Sequence, residues 1–245
     1  MSDICHKTLS INLYTPESPI RPSGTVATPG ISRKLLFLTP NQPLMLFNRK
    51  KTVFISGSAY EYGRFGDDGK DFIRCLTTAL LRHDYKIITG FGYGVGNYVV
   101  EGALQEIYGR QGTRLTDQLR VFPFPIPNGH SAHPDLDHVH RNYRDDMIAQ
   151  AGTAIFLFGN KLEDIAVRQA DGMRKEFEIA RTQGTLVIPV GVSGYISAEL
   201  WQDLIDQYDE YFTDRSTFDW YLQLGNPDAG PADWIDAILR IASHA

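Results

Sequence analysis

The chain has 245 residues, 42% of them hydrophobic and 22% charged, which is enough apolar material for one large domain or a domain with an extension. A net charge of −5 argues against a general nucleic-acid binder, although a local basic pocket remains compatible with it. Two cysteines, Cys5 and Cys75, supply neither a disulfide framework nor a Cys-x-x-Cys pair, so a reducing cytoplasm is expected. The start, Met-Ser-Asp-Ile-Cys-His, lacks the basic and apolar regions of a signal peptide, and no apolar run reaches the ~18 residues needed to cross a bilayer.

Residues 1–50 read as an N-terminal arm or linker, partly ordered. Residues 1–33 are rich in Ser, Thr, Pro and Gly, and the apolar runs 34–39 and 43–48, split by Pro-Asn-Gln-Pro, suit a short hairpin. The main domain is expected over residues 51–245. It opens with Thr52-Val-Phe-Ile-Ser56, a β-branched run suited to a strand covered on both faces. Phe72, Ile73, Leu76, Leu80 and Leu81 fall at helical spacing within 67–82. A second strand, 86–89, runs into four alternate glycines, Gly90, Gly92, Gly94 and Gly96, and then a helix over 95–108.

A strand, a glycine turn and a helix in succession aim backbone N–H groups at an anion. Glycine also admits a ligand without a Cβ in the way. The pattern is not Gly-x-Gly-x-x-Gly, because Val95 stands where the third glycine would fall. The acidic residue that grips a ribose after the next strand is also missing. A tight packing turn without a ligand is the competing explanation of this stretch alone.

A third strand is expected at 118–123, followed by a Pro- and His-containing loop over 124–138. The stretch 128–140 holds His130, His133, Asp135, Asp137, His138 and His140, in no spacing that makes a defensible metal site. A helix is expected over 137–150, a fourth strand over 153–158, a helix over 166–183 and a fifth strand over 185–189. Ser197 is placed as the N-cap of the next helix, and Pro231 near the first turn of a terminal amphipathic helix.

Alternating strands and helices give an α/β fold: a doubly wound, Rossmann-like parallel sheet with helices on both faces. Ligands of such sheets lie beyond the carboxyl ends of the strands. Three strand ends therefore converge: Gly57-Ser58-Ala59, the turn holding Gly92, Tyr93, Gly94, Val95 and Gly96, and Gly159-Asn160-Lys161. Around them Arg144 suits bidentate binding of a phosphate, Lys161 adds a point charge, and Glu176 can accept from ribose hydroxyls or an amino group. For each side chain alone, a surface ion pair is the competing role. There is no Gly-x-Ser-x-Gly elbow and no Gly-x-x-x-x-Gly-Lys-Ser/Thr loop.

Phe54-Ile-Ser-Gly-Ser-Ala59, the 90–96 turn, Tyr143-Arg-Asp-Asp-Met-Ile148, Phe158-Gly-Asn-Lys161, Gly172-Met-Arg-Lys-Glu-Phe-Glu-Ile-Ala180 and Ile188-Pro-Val-Gly-Val-Ser-Gly-Tyr195 together resemble the SLOG superfamily. More closely they resemble its branch associated with Sir2 and TIR domains, which forms the C-terminal sensor of the Thoeris antiphage NADase effector. The resemblance spans about residues 51–205. It implies a sensor that binds a cyclic ADP-ribose isomer made by a TIR enzyme, with the family's Arg, Lys and Glu falling on Arg144, Lys161 and Glu176. It further implies control of an effector, Sir2, TIR or other, in cis or in trans, through homodimer or tetramer association. No catalytic residue, metal or further cofactor is expected, nor contact with nucleic acid or membrane, and any NADase activity would belong to an effector domain outside this sequence. Two departures bear on this. The Pro-Gly-Gly-x-Gly-Thr-x-x-Glu block of the superfamily's cytokinin-releasing phosphoribohydrolases is absent between Phe158 and Glu176, and the sequence holds no Sir2 or TIR motif. The alternatives are an N-glycosidase of that hydrolase type using Glu176, and a free-standing sponge for the signal nucleotide.

Overall fold

A computed structural model describes residues 48–109, 114–124 and 136–245. The expected arm before Asn48 and most of the His-containing loop lie outside the described residues. Five strands form one parallel sheet: β1 (Thr52–Ser58), β2 (Lys86–Thr89), β3 (Leu119–Val121), β4 (Thr153–Phe158) and, last in the chain, a strand over Leu186–Pro189. A separate two-stranded ribbon, β5 (Asn160–Glu163) and β6 (Ala166–Gln169), lies between, so the last parallel strand is β7. The sheet order is β3-β2-β1-β4-β7. β1 sits at the centre, with Val53 opposite Ile87 on one side and Thr153 on the other.

Residues 52–56 of β1 and all six of β4 are buried, as continuous apolar runs in a parallel sheet require. The helices are α1 (Asp68–Arg82), α2 (Gly96–Tyr108), α3 (Leu136–Ile148), α4 (Gly172–Thr182), α5 (Tyr195–Asp206), α6 (Tyr208–Tyr211), α7 (Phe218–Gln223) and α8 (Pro231–Ala242). Right-handed crossovers from this strand order put α1 and α2 on one face and α3 and α4 on the other. The packing agrees, since α1 lies against α2 and α3 against α4. The winding direction reverses between β1 and β4, and a crevice opens there beyond their carboxyl ends. No described helix is long and apolar enough to cross a membrane.

The sequence reading needs two corrections. The helix expected over 166–183 begins only at Gly172, because Ala166–Gln169 pairs antiparallel with Asn160–Glu163 around a two-residue turn in which Asp164 has φ +56°. The ribbon is held from its first residue. The Asn160 side chain accepts from the backbone N–H groups of Tyr60 and Glu61 at 2.9 and 3.1 Å and donates to the Glu61 carbonyl at 2.9 Å. Ser197 is not an N-cap. Helix α5 starts two residues earlier after Gly194, and Ser197 Oγ donates instead to the carbonyls of Phe156 and Val190, at 2.7 and 3.0 Å.

Upstream of β1, the Arg49 guanidinium donates to the carbonyls of Ala151 and Gln183 at 3.1 and 2.8 Å and to Thr185 Oγ1 at 3.1 Å, fastening the chain to the amino-terminal edge of the sheet. At the far end of the chain, α8 docks through Trp234. Its ring lies 5.3 Å from Phe65 and 6.1 Å from Phe72, and Nε1 donates to the Asn226 carbonyl at 3.1 Å. Trp234→Ala leaves a void that these rigid rings cannot fill. We expect it to lower unfolding free energy by about 3–5 kcal/mol in chemical denaturation.

Candidate functional site

The crevice holds a cavity of about 160 Å³. Its floor is the end of β1, from Ile55 to Ser58. Gly90 and Gly92 form one wall. The opposite wall is Arg144 from α3, Glu176 from α4, and the first turn of α4 at Gly172 and Met173.

The glycine turn divides into two functions. A Cβ on Gly92 would stand 2.0 Å from the Gly57 carbonyl oxygen, and one on Gly94, where φ is +71°, would stand 1.8 Å from the Ala59 carbonyl oxygen. These glycines are required by close approach of two backbones, which Ala59 N–H cements by donating to the Tyr93 carbonyl at 2.7 Å. Gly92 faces the cavity, whereas Gly94 and Gly96 are packed away from it. The N–H groups of Val95 and Gly96 both donate to the Gly92 carbonyl, at 3.2 and 2.7 Å, so they are not free for an anion. The helix amino terminus that opens on the cavity belongs to α4, at Gly172, where the sequence reading ran a helix straight through, and within its first turn the Met173 N–H donates to the Ala170 carbonyl at 3.0 Å. Aligned peptide dipoles make such a terminus attractive to negative charge.

Arg144 is the cation of this wall. Its side chain is 14% exposed, its guanidinium carbon lies 4.5 Å from the centre of the Phe124 ring, and Nε donates to Glu176 Oε1 at 3.3 Å. Gly172 makes room for it, since a Cβ there would lie 3.1 Å from an Arg144 terminal nitrogen. Glu176 is buried and its second oxygen accepts from Ser56 Oγ at 2.6 Å. Burial pushes the Glu176 carboxyl above its ordinary value, while the Ser56 hydrogen bond and the Arg144 charge pull the other way. Beside them Ser58 Oγ is buried at the cavity floor with no hydrogen-bond partner among the described residues. A buried hydroxyl left unbonded costs about 1–3 kcal/mol.

Of the side chains and glycines expected from sequence, the fold thus gathers Gly57, Ser58, Gly92, Arg144 and Glu176 at one cavity. Ala59 and Val95 are buried packing positions, and Tyr93 is 71% exposed outside the cavity wall. Gly159, at φ +101°, packs on Met173 and Ile196, and Asn160 is the clamp described above. Lys161 points along the ribbon, half-exposed, with Nζ 3.4 Å from Glu163. Sequence reasoning passed over Ser56, Phe124 and the opening of α4. The signals present were the polar Ser56 inside an apolar strand and the Asp171-Gly172 pair just ahead of the helical period.

A family model described as Sir2- and TIR-associating SLOG matches residues 45–245. The chain is also similar to the protein named NAD(+) hydrolase ThsA from Bacillus cereus (strain MSX-D12), 41% identical over 165 residues, or 67% of this chain and 33% of that protein. Proteins of the same name from Cytobacillus dafuensis and Enterococcus faecium are 41% and 35% identical over 170 and 167 residues, again 67% of this chain, and 34% and 33% of theirs. The chain spans about a third of the length of these curated relatives.

The raised Glu176 carboxyl makes a stability prediction. Its folded-state value lies above the ordinary 4.5, so protonation favours the fold. That stabilisation is complete below about pH 4.5 and is lost as pH rises through the raised folded value. Glu176→Gln carries no such proton. Urea unfolding at a series of pH values should therefore show the variant gaining on the wild type as pH rises through this window.

Proposed function

The chain belongs to the Sir2- and TIR-associating SLOG family, and from that premise we propose that it is a receptor module whose crevice binds a cyclic ADP-ribose isomer. The observation that carries the proposal is the union of three groups at one cavity: the Arg144 guanidinium, the amino terminus of α4 and the unpartnered Ser58 hydroxyl. Each favours an oxygen-rich anion, and together they fit a pyrophosphate with an adjoining ribose. A charge-assisted contact of this kind contributes about 1.5–3 kcal/mol. A cavity of about 160 Å³ takes the charged centre of such a ligand, and the remaining nucleotide extends over the mouth.

The relatives carry the name of an NAD(+) hydrolase, which supports a ligand related to NAD. The aligned part is only a third of those proteins, so we place the hydrolase with an effector domain joined or recruited to this module, in the cytoplasm. Both Glu176 oxygens are engaged, one by Ser56 and one by Arg144, which favours holding a ligand over attacking it. Ligand binding then alters association of the module as a dimer or tetramer.

Calorimetry with a panel of cyclic ADP-ribose isomers tests the proposal. Arg144→Ala should weaken binding more than about tenfold, equivalent to about 1.4 kcal/mol. Ser58→Ala should cost about 0.5–1.5 kcal/mol, the worth of one neutral hydrogen bond. Lys161→Ala, at a half-exposed ion pair outside the cavity wall, should cost no more than about threefold. Release of a free base from the bound nucleotide at a catalytic rate, abolished in Glu176→Gln, would replace the receptor by a hydrolase. Full affinity in Arg144→Ala would reject the site.

A further inference from the structure

Arg144 is held by Glu176 and Phe124. Its Nε meets Glu176, its guanidinium face rests on Phe124, and one terminal nitrogen lies at Gly172, which lines the cavity. Glu176 in turn is oriented by Ser56 from the middle of β1, a residue 2% exposed and fixed by strand pairing with Phe156. The order of contacts is strand hydroxyl, buried carboxylate, guanidinium, cavity. An anion entering the cavity competes with Glu176 for the same guanidinium.

We propose that Ser56 and Glu176 form a positioning pair that holds Arg144 across the crevice until an anionic ligand claims it, whereupon Glu176 takes up a proton from solvent. The inference rests on the anion-binding reading given above and adds its regulation. The electrostatics run in one direction. The ligand draws away the opposite charge that kept the carboxylate ionised and sets a like charge beside it, and both effects favour the neutral acid in a desolvated site. Ser56 remains a donor to the carbonyl oxygen of the acid, so protonation leaves no orphaned group. The groups that face Glu176 from the elements around it are Arg144 on α3 and Ser56 on β1, and no other described ionisable group acts on it. On the neighbouring α5, Glu199 is turned to Arg174 and stays outside this exchange.

Two measurements separate this inference from the reading beneath it. The first needs no ligand. In protein labelled with ¹³C at the glutamate carboxyls, the Glu176 resonance, assigned by its loss in Glu176→Gln, should titrate at higher pH in Arg144→Met than in the wild type. An unmoved titration overturns the positioning pair. The second is calorimetry with the tightest-binding member of the cyclic ADP-ribose panel, in buffers of different ionisation enthalpy between about pH 5.5 and 8. The wild type should show buffer-dependent heats equivalent to uptake of up to one proton, and an affinity that falls as pH rises by at most about tenfold per unit. Both effects should vanish in Glu176→Gln. Binding with buffer-independent heats throughout overturns the proton uptake and leaves the receptor intact. Failure of every panel member to bind overturns the receptor and the uptake together, and the ligand-free titration still decides the positioning pair.

Discussion

The crevice exists because two loops meet backbone to backbone. The end of β1 and the turn after β2 approach until the Gly57 and Ala59 carbonyls fill the spaces where side chains of residues 92 and 94 would stand. A parallel sheet always leaves a gap where its winding reverses, but not always one with a bare peptide wall. Here that contact closes the crevice on the β2 side and leaves the β4 side to side chains. The polar and charged groups consequently all come from the other face of the sheet and from the strand beneath: Ser56 and Ser58 on β1, Arg144 on α3, Glu176 on α4.

The wall of side chains is electrostatically tense. A carboxylate as deeply buried as Glu176 is tolerated only with partners, and two are supplied at hydrogen-bonding distance. Replacing such a cluster by packed hydrocarbon often stabilises a fold, so its presence signals a task other than stability. Strain points to the same place. Phe91 in the glycine turn and Phe158 at the end of β4 both hold positive φ, +57° and +59°, in a region bulky residues seldom enter. Phe158 is kept there by a hydrogen bond from its N–H to Ser193 Oγ at 2.9 Å and by edge contacts with Tyr62 and Phe65. Phe91 lies between the cavity-lining Gly90 and Gly92, and Phe158 pairs with Ser58 at the end of β1, while Asp84, Asp164 and Tyr195 hold the same conformation outside the cavity lining.

Much of this was legible in the residues. Continuous apolar runs such as Thr153–Phe158 gave the buried parallel strands, and the helical period from Phe72 to Leu81 gave α1, because burial imposes those periods directly. Arg144 and Glu176 were nameable from residue type and place. What could not be read was which groups are spent on the fold itself. The Val95 and Gly96 N–H groups are consumed by Gly92 and the Asn160 amide by the Tyr60–Glu61 backbone, and each of these depends on contacts made by residues distant in the chain or on the course of a turn. The β5–β6 ribbon escaped because four-residue strands are too short for either period to declare itself, and its Ala, Gln and Arg suit a helix equally well. With the ribbon mistaken for helix, the true start of α4 was hidden.

The Asn160 clamp has a mechanical consequence. One amide carries three hydrogen bonds to a loop a hundred residues earlier in sequence, so the ribbon and the segment after β1 share a single pivot. The turn end of the ribbon, by contrast, is free on the surface, with Ile165 98% exposed. The ribbon is therefore anchored at its crevice end, by Asn160 on one strand and by Gln169 donating to Glu199 on the other, and presents its turn to solvent.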